Sequence, residues 1–570
     1  MSEEALRAKI RGYALVNALK FGGKANPKAV AGMAFSEDPS LKPRAAEVIR
    51  LAEEVVNEVN AMPIESQRLA ASAMSLPSAK ERIKEPAHVL PKLPNVEKYG
   101  RIHVRFAPNP DSVIHLGNAR AAILSDEYAK IYKGLFTLRF EDTSPSVKPP
   151  EPEAYENIKE DLEWLGVRWD EVAIQSDRLQ IYYEHAERLI ELGGAYICTC
   201  PQESFRKRIS SKEACPCRDL SVEENLRRWK GMLDGSIKKG GAVMRVKTDI
   251  SHPNPAIRDW PAMRIDTKPH PRLGTRFRVW PLYNFASGVD DHLMGITHIL
   301  RGKEHEVNMI RQKYMYGYFG WDYPEAIHYG RLKIKGSVLS KSKIRQGILD
   351  GQFSDWSDPR LGTIAALRKR GFLPQTIRQL IIEVGVRPSE AMISWENLDS
   401  MNRKALDPVI RRYVFIPSPS HFVVDGIPKR FEAKIPLHPD HPEWGIRTFT
   451  VQEGSAKIVI QSADAESLKK GEVIRLMNLF NVEALSKSGG RFHSEGVAEA
   501  KERSARIIQW MPTDLGRELE VVKPDASRDV GVIDPSVLSE QLPSTFQFYR
   551  YGFVRVYNEG GAFRGYYAHG

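Results

Sequence analysis

At 570 residues the chain is too long for one hydrophobic core, and a prior of about 150 residues per domain predicts three or four domains. Its 83 Lys and Arg against 72 Asp and Glu leave a net charge of +11, which favours a polyanionic partner over an acidic small molecule alone. Nowhere do 18 apolar residues run together, and the first residues lack a basic flank followed by an apolar core, so no membrane span or signal peptide is expected and the protein is read as cytoplasmic.

Residues 1–95 read as a helical appendage and linker. Leu6, Ile10, Tyr13 and Val16 form one apolar stripe and Ile49, Ala52, Val56 and Val59 another, while 86–99, with three prolines, reads as a connection to the next domain. None of these helices shows residues suited to chemistry.

From residue 101 the texture is α/β. A strand over 101–106 leads into a proline-rich loop and a helix over 117–133, with Gly134 expected to close it. The stretch Arg105-Phe-Ala-Pro-Asn-Pro-Asp-Ser-Val-Ile-His-Leu-Gly-Asn-Ala-Arg120 therefore lies at the carboxyl end of a strand and at a helix N-terminus. Parallel sheets bind ligands there, and unpaired N–H groups attract anions. Pro108, Pro110 and Gly117 shape the loop, and a phosphate seated on it would meet His115 and Asn118; a plain turn is the alternative. A strand over 135–143 ends in Glu141 and Asp142, helices follow over 152–165 and 176–192, and a strand over 195–198 completes the order expected of a doubly wound sheet.

The pattern then breaks, as in an insertion over about 196–275. It holds all four cysteines, Cys198-Thr-Cys200 and Cys215-Pro-Cys217, 14 residues apart. Secreted disulfide frameworks are not so confined, whereas four thiolates in two close pairs suit a tetrahedral structural zinc with no open position. Four buried thiols without metal are the alternative.

The sheet pattern resumes with a strand over 277–285 that includes Tyr283, followed by Ser287 and Asp290-Asp291-His292. Three consecutive side chains diverge too far to share one ion, so no metal is predicted there. A strand over 296–302 ends near Arg301, a helix spans 303–318 and another strand 325–332. The basic stretch 331–343, broken by Gly and Ser and without a helical stripe, is placed to close over phosphates; a solvated charge run or RNA-backbone patch is the alternative. Residues 353–412 are helical, with Ile364, Leu367, Phe372, Leu373, Ile377, Leu380 and Ile381 as their core. Beyond Phe415 short strands recur over 448–451, 457–460, 473–477, 507–510, 519–522 and 546–556, a spacing suited to β-barrels.

Together these stretches resemble the class I aminoacyl-tRNA synthetases, most closely the archaeal type of the glutamyl/glutaminyl family, from about residue 95 to the end. His115-Leu-Gly-Asn118 is similar to the family's HIGH signature, departing at the last position, and Val338-Leu-Ser-Lys-Ser342 to its KMSKS signature, keeping Ser340, Lys341 and Ser342. The resemblance implies a Rossmann-like catalytic domain over 96–345 with an acceptor-stem-binding insertion, a helical stem-contact domain over 346–412 and anticodon-binding β-barrels over 413–570. It implies ATP with Mg²⁺, with His115, Asn118 and Lys341 as catalytic residues on the phosphates. Arg105, Glu141, Tyr283, Ser287 and Arg301 correspond to the amino-acid pocket. Arg301 is the position that is Arg in glutamate enzymes and uncharged in glutamine enzymes, so the expected substrates are L-glutamate and tRNA(Glu), with tRNA(Gln) as a further acceptor left open and a monomer expected. A glutamine enzyme and a tRNA-independent adenylyltransferase on the same fold are the alternatives.

Overall fold

The computed structural model describes residues 3–20, 23–73, 90–335 and 340–570. The chain forms two compact units, residues 1–89 and 90–570. Among the described residues no helix is long and apolar enough to cross a membrane.

The first unit comprises α1 (Glu3–Lys20), α2 (Pro27–Glu37), α3 (Ala45–Asn60) and α4 (Ile64–Ala73). Its core contains Leu6, Ile10, Leu15, Val48, Leu51, Val55, Val56 and Val59. Of the stripe assigned above to α3, Ala52, Val56 and Val59 are buried, but Ile49 is 47 % exposed; Val48, Leu51 and Val55 complete the buried face. Of the expected connection 86–99, residues 86–89 lie outside the described residues. Leu90 and Leu93 do not behave as linker, because both are buried in the core of the second unit.

That unit opens with β1 (His103–Phe106), α5 (Leu116–Tyr132), β2 (Leu135–Phe140), α6 (Pro152–Trp164), β3 (Glu171–Ile174) and α7 (Leu179–Glu191). The strands pair in parallel in the order β1-β2-β3. Burial on both faces explains the nearly continuous apolar reading of Leu135-Phe-Thr-Leu-Arg-Phe140. Strand β3 has no such run and is half exposed, which is why its sequence carries little strand signal. The left-handed residue that ends α5 is Lys133 (φ 49°), not Gly134. Gly134 is required for another reason: a Cβ there would stand 2.4 Å from the Ile102 carbonyl oxygen.

Then come β4 (Ala195–Cys198), α8 (Gln202–Ser210), α9 (Val222–Asp234), β5 (Val243–Val246), β6 (Pro261–Ile265) and β7 (Val279–Pro281). Residues 195–198 do not extend the parallel sheet as predicted; they form the edge of an antiparallel sheet, β4-β5-β6-β7, built from the insertion and its flanks. The strand expected over 277–285 stops at Pro281, because Pro281 lacks the N–H needed to continue a ladder and Tyr283 begins α10 (Tyr283–Leu293).

The second parallel half consists of β8 (His298–Gly302), α11 (Glu306–Phe319) and β9 (Glu325–Tyr329), with Arg301 opposite His328 in register. It joins the first beside β1, where Thr297 N–H donates to the His103 carbonyl (2.9 Å) and His103 N–H to Thr297 Oγ1 (2.9 Å). The carboxyl ends of β1 and β8 therefore face one crevice, the ligand site of split parallel sheets. Next, β10 (Leu332–Ile334) pairs in parallel with β11 (Ala391–Ile393), across α12 (Lys341–Leu349), α13 (Ile364–Arg370) and α14 (Pro374–Val384); α15 (Trp395–Leu406) follows. Ile364, Leu367, Phe372, Ile377, Leu380 and Ile381 pack into the same core as β1 and β2, so these helices brace the sheet.

The remaining chain forms two curled seven-stranded sheets and the hairpin Phe431–Pro436/Ile446–Val451. Pairing is mostly antiparallel, with exceptions such as Pro419–Ile427 beside Gly489–Ser494. Phe415–Pro417 lies in the sheet that contains the last strand, Ala562–His569. The buried Arg370 of α13 ties that strand to the helices, donating to the carbonyls of Tyr567 (3.2 Å) and Ala568 (2.7 Å).

Candidate active site

The crevice is a cleft of about 1200 Å³ lined by Arg105, Asn109, His115, Gly117, Asn118, Glu141, Tyr283, Arg301, His305 and Ser340, among others. Residues more than 200 positions apart in the chain, from Arg105 to Ser340, thus meet in one place.

His115 caps α5. Its Nδ1 accepts the backbone N–H groups of Gly117 (3.0 Å) and Asn118 (3.3 Å), and Asn118 Oδ1 accepts the N–H of His115 (2.7 Å). A Cβ on Gly117 would lie 3.0 Å from the His115 ring, so glycine makes room for the cap. Burial, and then the charge of Lys341, push His115 down to about 4, leaving a neutral imidazole. With Nδ1 accepting, the proton sits on Nε2, which becomes a donor. The helix N-terminus is thus capped internally rather than open to an anion. What remains for a ligand is His115 Nε2–H and the Asn118 Nδ2 donors, which make no hydrogen bond among the described residues.

Pro108 and Pro110 do not line the cleft. Their carbonyls accept from Glu141 N–H (3.0 Å) and Glu151 N–H (2.8 Å), tying the loop to the chain that follows β2. Isolated bridge pairing of His115 with Thr363 fixes the other end, through Leu116 N–H to Gly362 O (3.0 Å) and Ile364 N–H to Ile114 O (2.9 Å).

Of the second signature, Val338 and Leu339 lie outside the described residues. Lys341 is not in a loop as expected but opens α12, with Ser340 before it and Ser340 Oγ 3.2 Å from Ser342 Oγ. Its ammonium donates to Asp111 Oδ1 (3.0 Å). Asp111 belongs to the loop of the first signature, so the two signatures touch through an ion pair that neither motif reveals.

Deeper in, Arg105 and Arg139 converge on Asp291, at 3.1 Å from Arg105 Nε and 2.8 Å from Arg139 Nη1. Arg139 also holds Glu141 (3.0 Å), and Arg178 holds Asp290 (2.8 Å). Burial pushes the Asp291 carboxyl up, but Arg105 and Arg139 outweigh it and hold it below the usual range. For Glu141 burial wins and its carboxyl is raised, leaving an acid with spare demand for a cation. His292 stacks flat on Trp321, ring centroids 3.8 Å apart, while Asp290 pairs with Arg178 and Asp291 with Arg105, and Arg139 lies between the two carboxylates.

Arg301 is 5 % exposed and lines the cleft. Its partners are neutral: His328 Nε2 accepts from Nε (3.2 Å), Gln312 Oε1 from Nη1 (3.4 Å) and Tyr323 Oη from Nη2 (2.9 Å). Among the described residues no carboxylate ion-pairs with it. Ser287, assigned above to the pocket wall, is instead fully buried behind it. Its hydroxyl donates to the Tyr283 carbonyl (2.6 Å) and accepts from Gln312 Nε2 (2.9 Å). Tyr283 does face the cleft, beside His305.

In the insertion, the four Sγ atoms lie within 4.8 Å of one another, with separations of 3.5 Å (Cys198–Cys215), 3.2 Å (Cys200–Cys215) and 3.8 Å (Cys200–Cys217). Zinc–thiolate bonds of about 2.3 Å in a tetrahedron set sulfur–sulfur edges of about 3.8 Å, so the donor set fits.

A split parallel sheet, a histidine-capped helix at the cleft and a lysine ion-paired to the loop before that helix are the parts of an adenylate-forming enzyme of the synthetase class, although Lys341 and Ser342 themselves do not line the cleft. Residues 101–408 match the family model "tRNA synthetases class I (E and Q), catalytic domain", and residues 411–497 its "anti-codon binding domain". The chain belongs to this family of class I aminoacyl-tRNA synthetases. Relatives named glutamate–tRNA ligase include those of Pyrococcus furiosus, 50 % identical with 95 % of this chain and 96 % of that one covered, and Pyrococcus horikoshii, 51 % identical with 98 % of each covered. That of Methanopyrus kandleri is 46 % identical with all of both chains covered.

Proposed function

We propose that this chain is a glutamate–tRNA ligase that uses ATP to form glutamyl-adenylate and transfers the glutamyl group to the terminal adenosine of tRNA(Glu). The observation that carries the choice of amino acid is Arg301, a buried guanidinium with only neutral partners at the cleft wall. Arg105 and Arg139 are paired with Asp291 and Glu141, and Arg178 with Asp290, whereas Arg301 has no carboxylate partner among the described residues. L-Glutamate carries one net negative charge and glutamine none, so a buried unpaired cation favours glutamate.

In this reading Glu141 takes the α-ammonium group, Tyr283 and Arg105 flank the amino acid, and Arg301 takes the side-chain carboxylate. The α-carboxylate oxygen attacks the α-phosphorus of ATP, and the bond to the β-phosphate oxygen breaks as pyrophosphate leaves. His115 Nε2–H and Asn118 donate to the phosphates, and Lys341 leaves Asp111 for the departing pyrophosphate, stabilising charge where it develops. Mg²⁺ would be held mainly by phosphate oxygens and water. A hydroxyl of the tRNA's terminal ribose then attacks the carbonyl and AMP leaves. The insertion would hold the acceptor stem, the helices after Lys341 the inner stem and the curled sheets the anticodon.

The test is pyrophosphate exchange with glutamate and with glutamine, each with and without tRNA, followed by charging of purified tRNA(Glu) and tRNA(Gln). Exchange confined to glutamine would overturn the reading, and charging of both tRNAs would define a broader acceptor range. For the cysteines we infer one structural zinc. Elemental analysis is expected to find one zinc per chain, lost in Cys215→Ser together with thermal stability; a zinc-free wild-type protein would leave four free thiols, three of them buried.

A further inference from the structure

We infer that Arg311 binds a backbone phosphate of the tRNA's single-stranded 3′ end, the segment that must run from the insertion into the cleft. This rests on the reading of the chain as a tRNA-charging enzyme.

The arginines that line the cleft are Arg105, Arg264, Arg301, Arg311 and Arg331. Arg105 is ion-paired with Asp291 (3.1 Å), Arg264 with Asp266 (3.8 Å) and Arg331 with Glu304 (3.7 Å). Among the described residues, Arg301 and Arg311 have hydrogen-bond partners but no carboxylate at ion-pair distance. Arg301 serves the amino acid, which leaves Arg311. It is half-buried, and burial pulls its guanidinium down from the usual arginine range with no carboxylate opposing. A cation so desolvated and unpaired is costly until an anion joins it.

Its position identifies the anion. On α11 Arg311 precedes Gln312, and successive helical side chains diverge by about 100°. Gln312 therefore turns inward to Arg301 (3.4 Å) and Ser287 (2.9 Å), while Arg311 turns to the insertion, its Nε donating to the Ala256 carbonyl (2.6 Å). Nη1 donates to Asn308 Oδ1 (3.2 Å), and Nη2 makes no hydrogen bond among the described residues, so both of its donors are left. In the proposed reaction the ATP phosphates are met by His115, Asn118 and Lys341, on α5 and α12, and the glutamate side chain by Arg301. The remaining anion is the nucleic acid, which passes from the insertion to the ribose that is aminoacylated. A phosphodiester oxygen accepts from the guanidinium and supplies the missing charge. Such a contact carries no sequence information, so Arg311 positions the 3′ end and does not select among tRNAs.

The experiment combines Arg311→Gln, which removes the charge, and Arg311→Lys, which keeps it, with tRNA(Glu) that is intact or lacks its 3′-terminal trinucleotide. Dissociation constants are measured on the folded full chain over a range of salt. Arg311→Gln is expected to weaken binding of intact tRNA by about tenfold or more, the loss of one hydrogen bond between charged groups. The slope of log affinity against log salt is expected to flatten by about 0.7, the share of one single-strand phosphate. The truncated tRNA is expected to bind wild type and Arg311→Gln equally well. Arg311→Lys is expected to keep the wild-type slope, and the KM values for ATP and glutamate in charging assays are expected to stay unchanged in both variants. An equal loss with truncated tRNA would place the contact on the duplex stem, and a raised ATP KM would place it on the nucleotide; either result, or an unchanged slope in Arg311→Gln, overturns the inference. Wild-type enzyme that charges no tRNA with glutamate would instead overturn the reading on which it rests, so the two failures are distinguishable.

Discussion

Replacing Arg301 with alanine is expected to raise the glutamate KM by two to three orders of magnitude while leaving the ATP KM nearly unchanged. The substrate carboxylate would enter a buried site without its cation, and truncating one partner of a buried charge pair costs about 3–5 kcal/mol. Arg105 and Arg139 cannot take over, because Asp291 and Glu141 already hold them. Steady-state exchange with each substrate varied in turn checks this. Equal losses for glutamate and ATP would mean that Arg301 supports the whole cleft, and the choice of amino acid would have to rest on other residues. Lysine at 301 is expected to restore only part of the loss, since an ammonium keeps the charge but not the planar fork held by His328 and Tyr323.

Lys341→Ala is expected to lower kcat for adenylate formation by about 10²–10³, the usual cost of removing one transition-state electrostatic contact, with tRNA affinity little changed. In the structure the ammonium rests on Asp111; in the proposed reaction it leaves that carboxylate as charge builds on the departing pyrophosphate, so its contact is expressed in the transition state. Single-turnover adenylate formation and a separate tRNA-binding measurement distinguish the possibilities. Loss of tRNA affinity with an intact activation rate would turn the basic stretch into an RNA contact, the alternative that its composition allows.

Much of the catalytic half is legible in the sequence because its signals are local. The β1–loop–α5 stretch announces itself by a strand, two prolines and a glycine at the head of a helix, and the helices over 152–164 and 179–191 carry amphipathic stripes. The errors fall where a local signal had two solutions. Tyr283, Phe285 and Val289 read as strand or helix equally well, and only Pro281, ending the β6–β7 ladder, decides for α10. Ala195–Cys198 has the composition of a buried strand, but composition does not say which sheet receives it. Ser287 matched a pocket position, yet its side chain turns away from the cleft to hold Gln312.

By itself the sequence determined the class of chemistry and the identity of its charged groups: the two signatures, the insertion with its four cysteines, and an arginine at position 301. The chain's own periodicities and side-chain types carry that information. Only the tertiary structure decided which charges are already neutralised and which are left for a ligand. Arg105, Arg139 and Arg301 are indistinguishable as letters, and their difference arises because Asp291 stands within reach of the first two while Arg301 faces only neutral acceptors. Coulomb energy and hydrogen bonding depend on distance and burial rather than on sequence spacing, so the reason that Arg301, unlike Arg105 and Arg139, is left without a carboxylate partner becomes visible only after the two halves of the sheet have met.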